Sequence, residues 1–322
     1  MSPPSIEVEK IAPIATQKAL FTGKAKLMTV DAELRLRQIC LLAHDLEWTS
    51  GVLSAAFDAP VVFRDSRMAA GGNLTNTHIR LGDSFLETVC PSDSAWANST
   101  TQTRLLDRNG DCGYMAIVQV PDIAVASKSM SIQGSGTGIV AGNWNLCEGV
   151  PGSGLIGVKS GPYELGTSLS KEPDMVSGVN VQFHPRDFGT LAEIQENWPG
   201  QDQFPQNTGT YYPAGNQWQT DVESRPHGGV TTGFAAVEIA CADVDPAEIC
   251  LRWSNGLGGG CSLLPDDPTS LQLADFQTMR FVESSDGRTG VVGVDLWQAH
   301  GSKKFESLEI CGVRWKVVPY PG

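Results

Sequence analysis

QICLLAHDLEWTSGVLSAAF, residues 38–57, holds an apolar run, an Asp-containing turn and a helical pattern in direct succession. The run Gln38–Ala43 is short and apolar, as a buried strand is. Asp45 follows where a helix N-cap would sit, its carboxylate able to accept from the first free helix N–H groups. Val52 and Ala56 are four apart, as are Leu53 and Phe57, so one helix face is apolar. The same order returns in MAIVQVPDIAVASKSM (115–130) with Asp122, and in AAVEIACADVDPAEICLRW (235–253) with Asp243 or Asp245. Pro246 suits the first helical position after Asp245. A unit that recurs in this way is one supersecondary module used several times.

Strand-like runs follow each helix. In the first copy they are Pro60–Phe63, Thr77–Leu81 and Ser84–Val89, with Gly82-Asp83 as a tight hairpin. In the second, Ser177–His184 and Thr190–Gln195 flank the turn His184-Pro185-Arg186-Asp187. In the third they are Ser270–Leu273, Thr278–Val282 and Val291–Trp297, and Cys311–Val318 reads as one extra strand. The fold class is therefore α+β, built from repeated βαβββ modules. The divisions are an N-terminal extension (1–34), module one (35–111), module two (112–196), a Gly-, Pro-, Asn- and Gln-rich linker (197–231) and a βαβββ-like module three (232–322).

Composition narrows the function classes. The chain has 322 residues, 23 basic against 36 acidic, and a net charge of −13. That balance disfavours nucleic acid and anionic membrane, both of which need a basic face. No apolar run is long enough to span a bilayer. The start of the chain lacks the pattern of a secretory signal, which points to a cytoplasmic protein with reduced thiols. The eight cysteines include no CxxC pair, so a structural zinc site is not indicated.

A βαβββ repeat with Gln38 opening the first strand and Glu87 on the fourth resembles the vicinal-oxygen-chelate superfamily, in its glyoxalase-like branch. The stretches that carry the likeness are LRQICLLAHDLEW, VVFRD, LGDSFLETVCP, GDCGYMAIVQVPDI and VQFHPRDFGTLAEI. The resemblance implies that two modules pack edge to edge into a cup-shaped mixed sheet. It also implies a divalent metal in the cup (Fe, Zn, Mn, Ni or Mg, or none in some members) and a small-molecule substrate. Module pairing within a chain and across a homodimer both occur in such proteins. The fold by itself does not choose the chemistry.

On that resemblance the metal candidates are Gln38, His78, Glu87 and Glu193, and the proton-transfer candidates are His78, Glu87, Tyr114 and Glu193. Gln38 and Glu87 match first- and fourth-strand ligand positions. His78 comes from geometry: a two-residue loop at Gly82-Asp83 pairs Leu81 with Ser84 and so His78 with Glu87, on one face of the sheet. Seven residues before Asp122 lies Met115, where many metal-binding relatives carry His. A thioether is a poor donor to a hard cation, and Met115 argues against extradiol ring cleavage. Tyr114 beside it could donate a hydrogen bond to a substrate oxygen. Glu193 matches the fourth strand of module two, with Gln195 and Glu196 next to consider. The His184-Pro185-Arg186-Asp187 turn reads as a structural corner. Trp144, Trp198, Tyr211, Tyr212, Trp218 and Trp297 could line a pocket or anchor core and loops.

Two readings follow. One is a metal-assisted lyase or isomerase acting on a small carbonyl compound by enolate and proton-transfer chemistry. The other is a cup that binds or sequesters a small molecule without turnover. A metal-free acid–base enzyme on the same cup is a third arrangement. The enzyme reading stands ahead because acids and amides fall at matching cup positions.

Overall fold

A computed structural model describes residues 34–68, 74–82, 84–134, 139–143, 178–197, 231–273, 276–300 and 307–320. Its fold is α+β: a large curved mixed sheet with few helices, built from βαβββ units. The first unit is β1 (Arg35–Leu42), α1 (Leu46–Phe57), β2 (Val61–Met68), β3 (Leu74–Leu81) and β4 (Ser84–Pro91). A short helical hairpin follows, α2 (Asp93–Ala97) and α3 (Thr101–Asn109). The second unit is β5 (Cys112–Gln119), α4 (Ile123–Gln133), β6 (Ile139–Asn143), β7 (Gly178–Phe183), the one-turn helix α5 (Pro185–Phe188) and β8 (Leu191–Asn197). In both, the first strand runs parallel to the last: β1 to β4 and β5 to β8. β1 and β5 pair antiparallel, so these two units form one cup within one chain.

Local chemistry explains the helices. Asp45 caps α1, accepting from Trp48 N at 2.9 Å, and Thr49, Ser50, Leu53 and Phe57 face inward. Asp45→Ala should cost about 1 kcal/mol in urea unfolding, because one helix N–H loses its acceptor. Asp245, rather than Asp243, caps the third long helix, accepting from Ala247 N at 2.8 Å with Pro246 in the first turn. The His184 corner is α5, with His184 as its N-cap.

The C-terminal part departs from the expected strand order. β9 (Thr231–Cys241) and α6 (Pro246–Leu257) lead into β10 (Ser262–Leu264), β11 (Asp267–Gln272) and β12 (Thr278–Glu283), and β12 runs parallel to β9. The unit therefore closes at β12. β13 (Gly290–Gln298) does not close it; β13 pairs antiparallel with β9 and parallel with β15 (Val313–Val318), beside β14 (Leu308–Ile310). This repeats the β1–β5 and β5–β8 relations, so β13–β15 behave as a fourth unit with no described helix between β13 and β14. Two short strands, β14 and β15, take the place of the single expected tail strand, because Cys311 (φ 58°) and Gly312 (φ 63°) turn the chain sharply between them.

Helices α1, α4 and α6 share one core on the convex side. Leu53, Phe57, Met130, Phe183, Phe188, Trp253, Phe281 and Trp315 belong to one buried cluster. Phe57 of α1 meets Trp315 of β15 edge-on at 5.2 Å, and Trp253 of α6 meets Phe188 at 5.5 Å. The concave side of the first cup holds a second apolar cluster, including Cys40, Leu42, Phe85, Val89, Leu106, Met115, Ile117 and Leu191. The extension, the linker, Trp144, Trp198, Tyr211, Tyr212 and Trp218 lie outside the described residues. Trp297 packs edge-on against Tyr320 in the C-terminal half.

Candidate functional site

Strand period two sets which side chains enter the cup. On β1 these are Gln38, Cys40 and Leu42; on β4, Phe85, Glu87 and Val89. The β3–β4 hairpin pairs Leu81 with Ser84, Arg80 with Phe85, Ile79 with Leu86 and His78 with Glu87, the register read from Gly82-Asp83. His78 is fully buried, with Nε2 3.8 Å from Glu87 Oε1, and its ring lies 5.5 Å from that of Phe63.

Glu87 is held at both ends. Gln38 Nε2 donates to Oε2 at 2.7 Å, and Asn76 Nδ2 donates to Oε1 at 2.6 Å. Glu87 is 7% exposed and Gln38 only 1%. A carboxylate so enclosed is costly unless its oxygens are satisfied, and the two amides do this. Asn76 escaped the sequence reading, although it lies two residues before His78 and so shares its face.

Module two repeats the arrangement more sparely. Glu193 of β8 is buried and accepts from Gln182 Nε2 at 2.7 Å. Gln182 is its cross-strand neighbour on β7, as His78 is for Glu87. The ladder also fixes the correspondence of first strands. Cys40 lies beside Glu87 and Ile117 beside Glu193, so Met115 occupies the position of Gln38. Gln195 is buried on the same face as Glu193, whereas the Glu196 side chain lies outside what is described. Tyr114 sits at the edge of the apolar cup cluster, and its hydroxyl accepts from Gln102 Nε2 at 3.1 Å.

Cys40 of β1 is the ladder neighbour of Glu87. Cys40, at the β1–β5 junction, has a thiol pushed well above its ordinary pKa. Burial is the main cause, and the charges of Glu87 and Glu193 add to it. Cys40 thus stands on the cup floor within the field of both acids.

The donor chemistry suits a cation on one side. Gln38 Oε1 and Asn76 Oδ1 are buried and accept no hydrogen bond. With a Glu87 oxygen and the His78 imidazole they make an oxygen-rich set of the kind hard divalent ions take. Module two offers Glu193 and the thioether of Met115. Among the described residues, no three His, Cys, Asp or Glu side chains stand close enough together to hold a metal.

Among the described residues, the C-terminal half has no such constellation. Glu238, seven residues before Asp245, corresponds to Gln38 and binds Arg314 through both oxygens at 3.1 Å. Arg280 Nη2 bonds Asp295 at 2.8 Å. Opposite charges satisfy one another there, across a face that is partly open to solvent.

No protein-family model matches the sequence, and no curated protein matches it. Solved structures do resemble it. A hypothetical protein from Staphylococcus aureus superposes with a TM-score of 0.54 at 12% identity, covering 89% of this chain and 99% of that one. A methylmalonyl-CoA epimerase in complex with methylmalonyl-CoA and NH4+ aligns with a TM-score of 0.35 at 15% identity, over 51% of this chain and 95% of the epimerase. The Mycobacterium tuberculosis methylmalonyl-CoA epimerase gives 0.34 at 14% identity, over 51% and 88%. The first likeness spans both halves of the chain and shows that the fold is shared.

Proposed function

We propose that the cup of modules one and two is the site of a glyoxalase-like enzyme, a lyase or isomerase acting on a small carbonyl compound by proton transfer. The observation that carries this reading is the pair of buried carboxylates, Glu87 and Glu193, each held by an amide and at matching positions on the last strands of the two paired units. Enclosed acids held in fixed orientation are what proton transfer next to a carbonyl needs. Gln38, Glu87 and His78 would hold a divalent ion, which when bound would polarise the carbonyl and stabilise enolate-like charge, leaving Glu193 as the remaining carboxylate. In this reading Gln38 and Asn76 orient Glu87, and Glu193 takes or returns the proton on the opposite side. His78 beside Glu87 offers a second proton carrier near neutral pH, and Tyr114 donates to a substrate oxygen. The cytoplasm, the chain divisions of the sequence analysis and the absence of nucleic-acid and membrane partners belong to the same proposal, as does a homodimer. No helix among the described residues is long and apolar enough to cross a membrane.

A binding cup without turnover is the second reading, favoured by Met115 at the position of Gln38. Metal content of untagged protein separates the two. About one equivalent of a divalent first-row metal, lost in Glu87→Ala and reduced in His78→Ala, is the expected result. A wild-type protein that neither carries such a metal nor takes it up on dialysis would leave the metal-free acid–base site or the binding cup.

A further inference from the structure

The groups assigned to chemistry are closed off: His78 and Cys40 are fully buried, Gln38 is 1% exposed, Glu193 4% and Glu87 7%. A substrate reaches them only if something moves. The strands around the cup are tied by continuous ladders. The hairpin α2–α3 is not part of any ladder. It occupies residues 92–111 between β4 and β5, whereas the corresponding link in the C-terminal half, residues 284–289, is a simple turn. Its buried Leu106 belongs to the apolar cluster of the cup, so the added element packs on the cup that carries the acids.

Its attachments are side-chain contacts, and its C-terminal end is tied at Asp111, whose Oδ1 accepts from His44 N at 2.9 Å and lies 2.7 Å from His44 Nδ1. Leu106 of α3 is buried in the cluster of Cys40, Phe85, Met115 and Leu191, with Leu105 packed at its edge. Gln102 donates to the Tyr114 hydroxyl. Trp96 of α2 stacks on His44 at 5.8 Å, and Arg288 donates to Asn109 O at 2.9 Å. Ser99 (φ 47°) and Gly110 (φ 68°) mark the turns within and after the hairpin. Elements held by side-chain contacts open at lower free energy than a strand-bonded core.

We propose that α2–α3 is the movable wall of the substrate site, and that Leu106 sets its size by filling the space the apolar end of a ligand would take. This rests on the cup being the site. The substrate class is then compact: a carbonyl compound with a short aliphatic chain, admitted when the hairpin swings away and enclosed when Gln102 returns to Tyr114.

Cys40 is a built-in reporter. The full-length protein is treated with methyl methanethiosulfonate under native conditions, and modification is followed peptide by peptide. In Leu106→Ala and in Gln102→Ala the Cys40 rate should rise about tenfold over its own wild-type rate, the loss of a modest contact. Cys250, buried in α6 away from the cup, should keep its rate. Comparing each thiol with itself cancels intrinsic reactivity. Gln102→Ala removes one hydrogen bond and serves even where Leu106→Ala is too unstable to use. Unchanged Cys40 rates in both, or Cys40 and Cys250 accelerated together, would overturn the movable wall.

A second arm tests size. With straight-chain 2-oxo acids as probes, Leu106→Ala should move the tightest binder to a chain longer by about two or three carbons, the volume removed. An unchanged order, or binding to neither protein, would overturn the size assignment. Glu87→Gln separates the readings. If it leaves binding and turnover intact while Cys40 labelling responds as expected, the assignment of the acids fails and the wall stands.

Discussion

Gly113→Val should cost about 3 kcal/mol or more of folding stability, since a branched side chain would be forced against backbone in a packed seam. Gly113 is where the halves of the sheet meet: β5 pairs with β13 through Gly113 and Val291. A Cβ built there would lie 2.1 Å from Val291 O and 2.7 Å from Val291 Cβ. Gly290 on the other side holds φ 138° and its own Cβ would meet Gly113 O at 2.7 Å. Neither strand can yield without breaking a ladder, because β13 is also paired to β9 and β15. The comparison variant is Gly51→Ala on the exposed face of α1, where nothing lies within 4 Å. It should stabilise by about 0.5–1 kcal/mol, by helix propensity alone. Chemical denaturation of the three proteins checks both; a Gly113→Val variant as stable as wild type would mean that the seam does not join as described.

Glu87→Ala should lower stability by about 2–4 kcal/mol and abolish any turnover. The stability loss has two parts. The removed side chain leaves space in a closed cup, and the Gln38 and Asn76 amides lose the acceptor for their buried N–H groups, at about 1–3 kcal/mol for such a group. Glu87→Gln keeps one acceptor oxygen, so its loss should be nearer 1 kcal/mol, while proton transfer still fails. A large fall in activity with a small fall in stability in Glu87→Gln is therefore the signature of a carboxylate used in chemistry. Activity kept in Glu87→Gln, or falling in both variants only as far as stability does, would mark Glu87 as a packing residue.

Much of the cup was legible in the sequence because its signals are local. Asp45 announces one helix start and Asp243 or Asp245 another, and a two-residue loop at Gly82-Asp83 fixes a register, so His78 and Glu87 fall side by side on the same face. Counting seven residues back from each cap gave Gln38 and Met115, and for the third helix Ala236 or Glu238 according to whether Asp243 or Asp245 caps it. What stayed hidden depends on partners distant in sequence. Asn76 and Gln182 become clamps only through a carboxylate on the next strand. Cys40 gains its place from two acids on different strands. β13 was read as closing the third unit because nothing in Val291–Trp297 says that its neighbours are β9 and β15. The hairpin α2–α3 was missed altogether: its first helix is one turn long and its apolar pair, Leu105 and Leu106, makes sense only against the cup.

The helix layer has a consequence for how the molecule melts. Phe57 of the first unit rests on Trp315 near the end of the chain, and Trp253 of the third rests on Phe188 of the second. Each half thus finishes the other's interior and one sheet runs through both, so neither is a free-standing domain. Calorimetry should record one endotherm, not two. A gene split between the halves should yield fragments that become soluble only when made together.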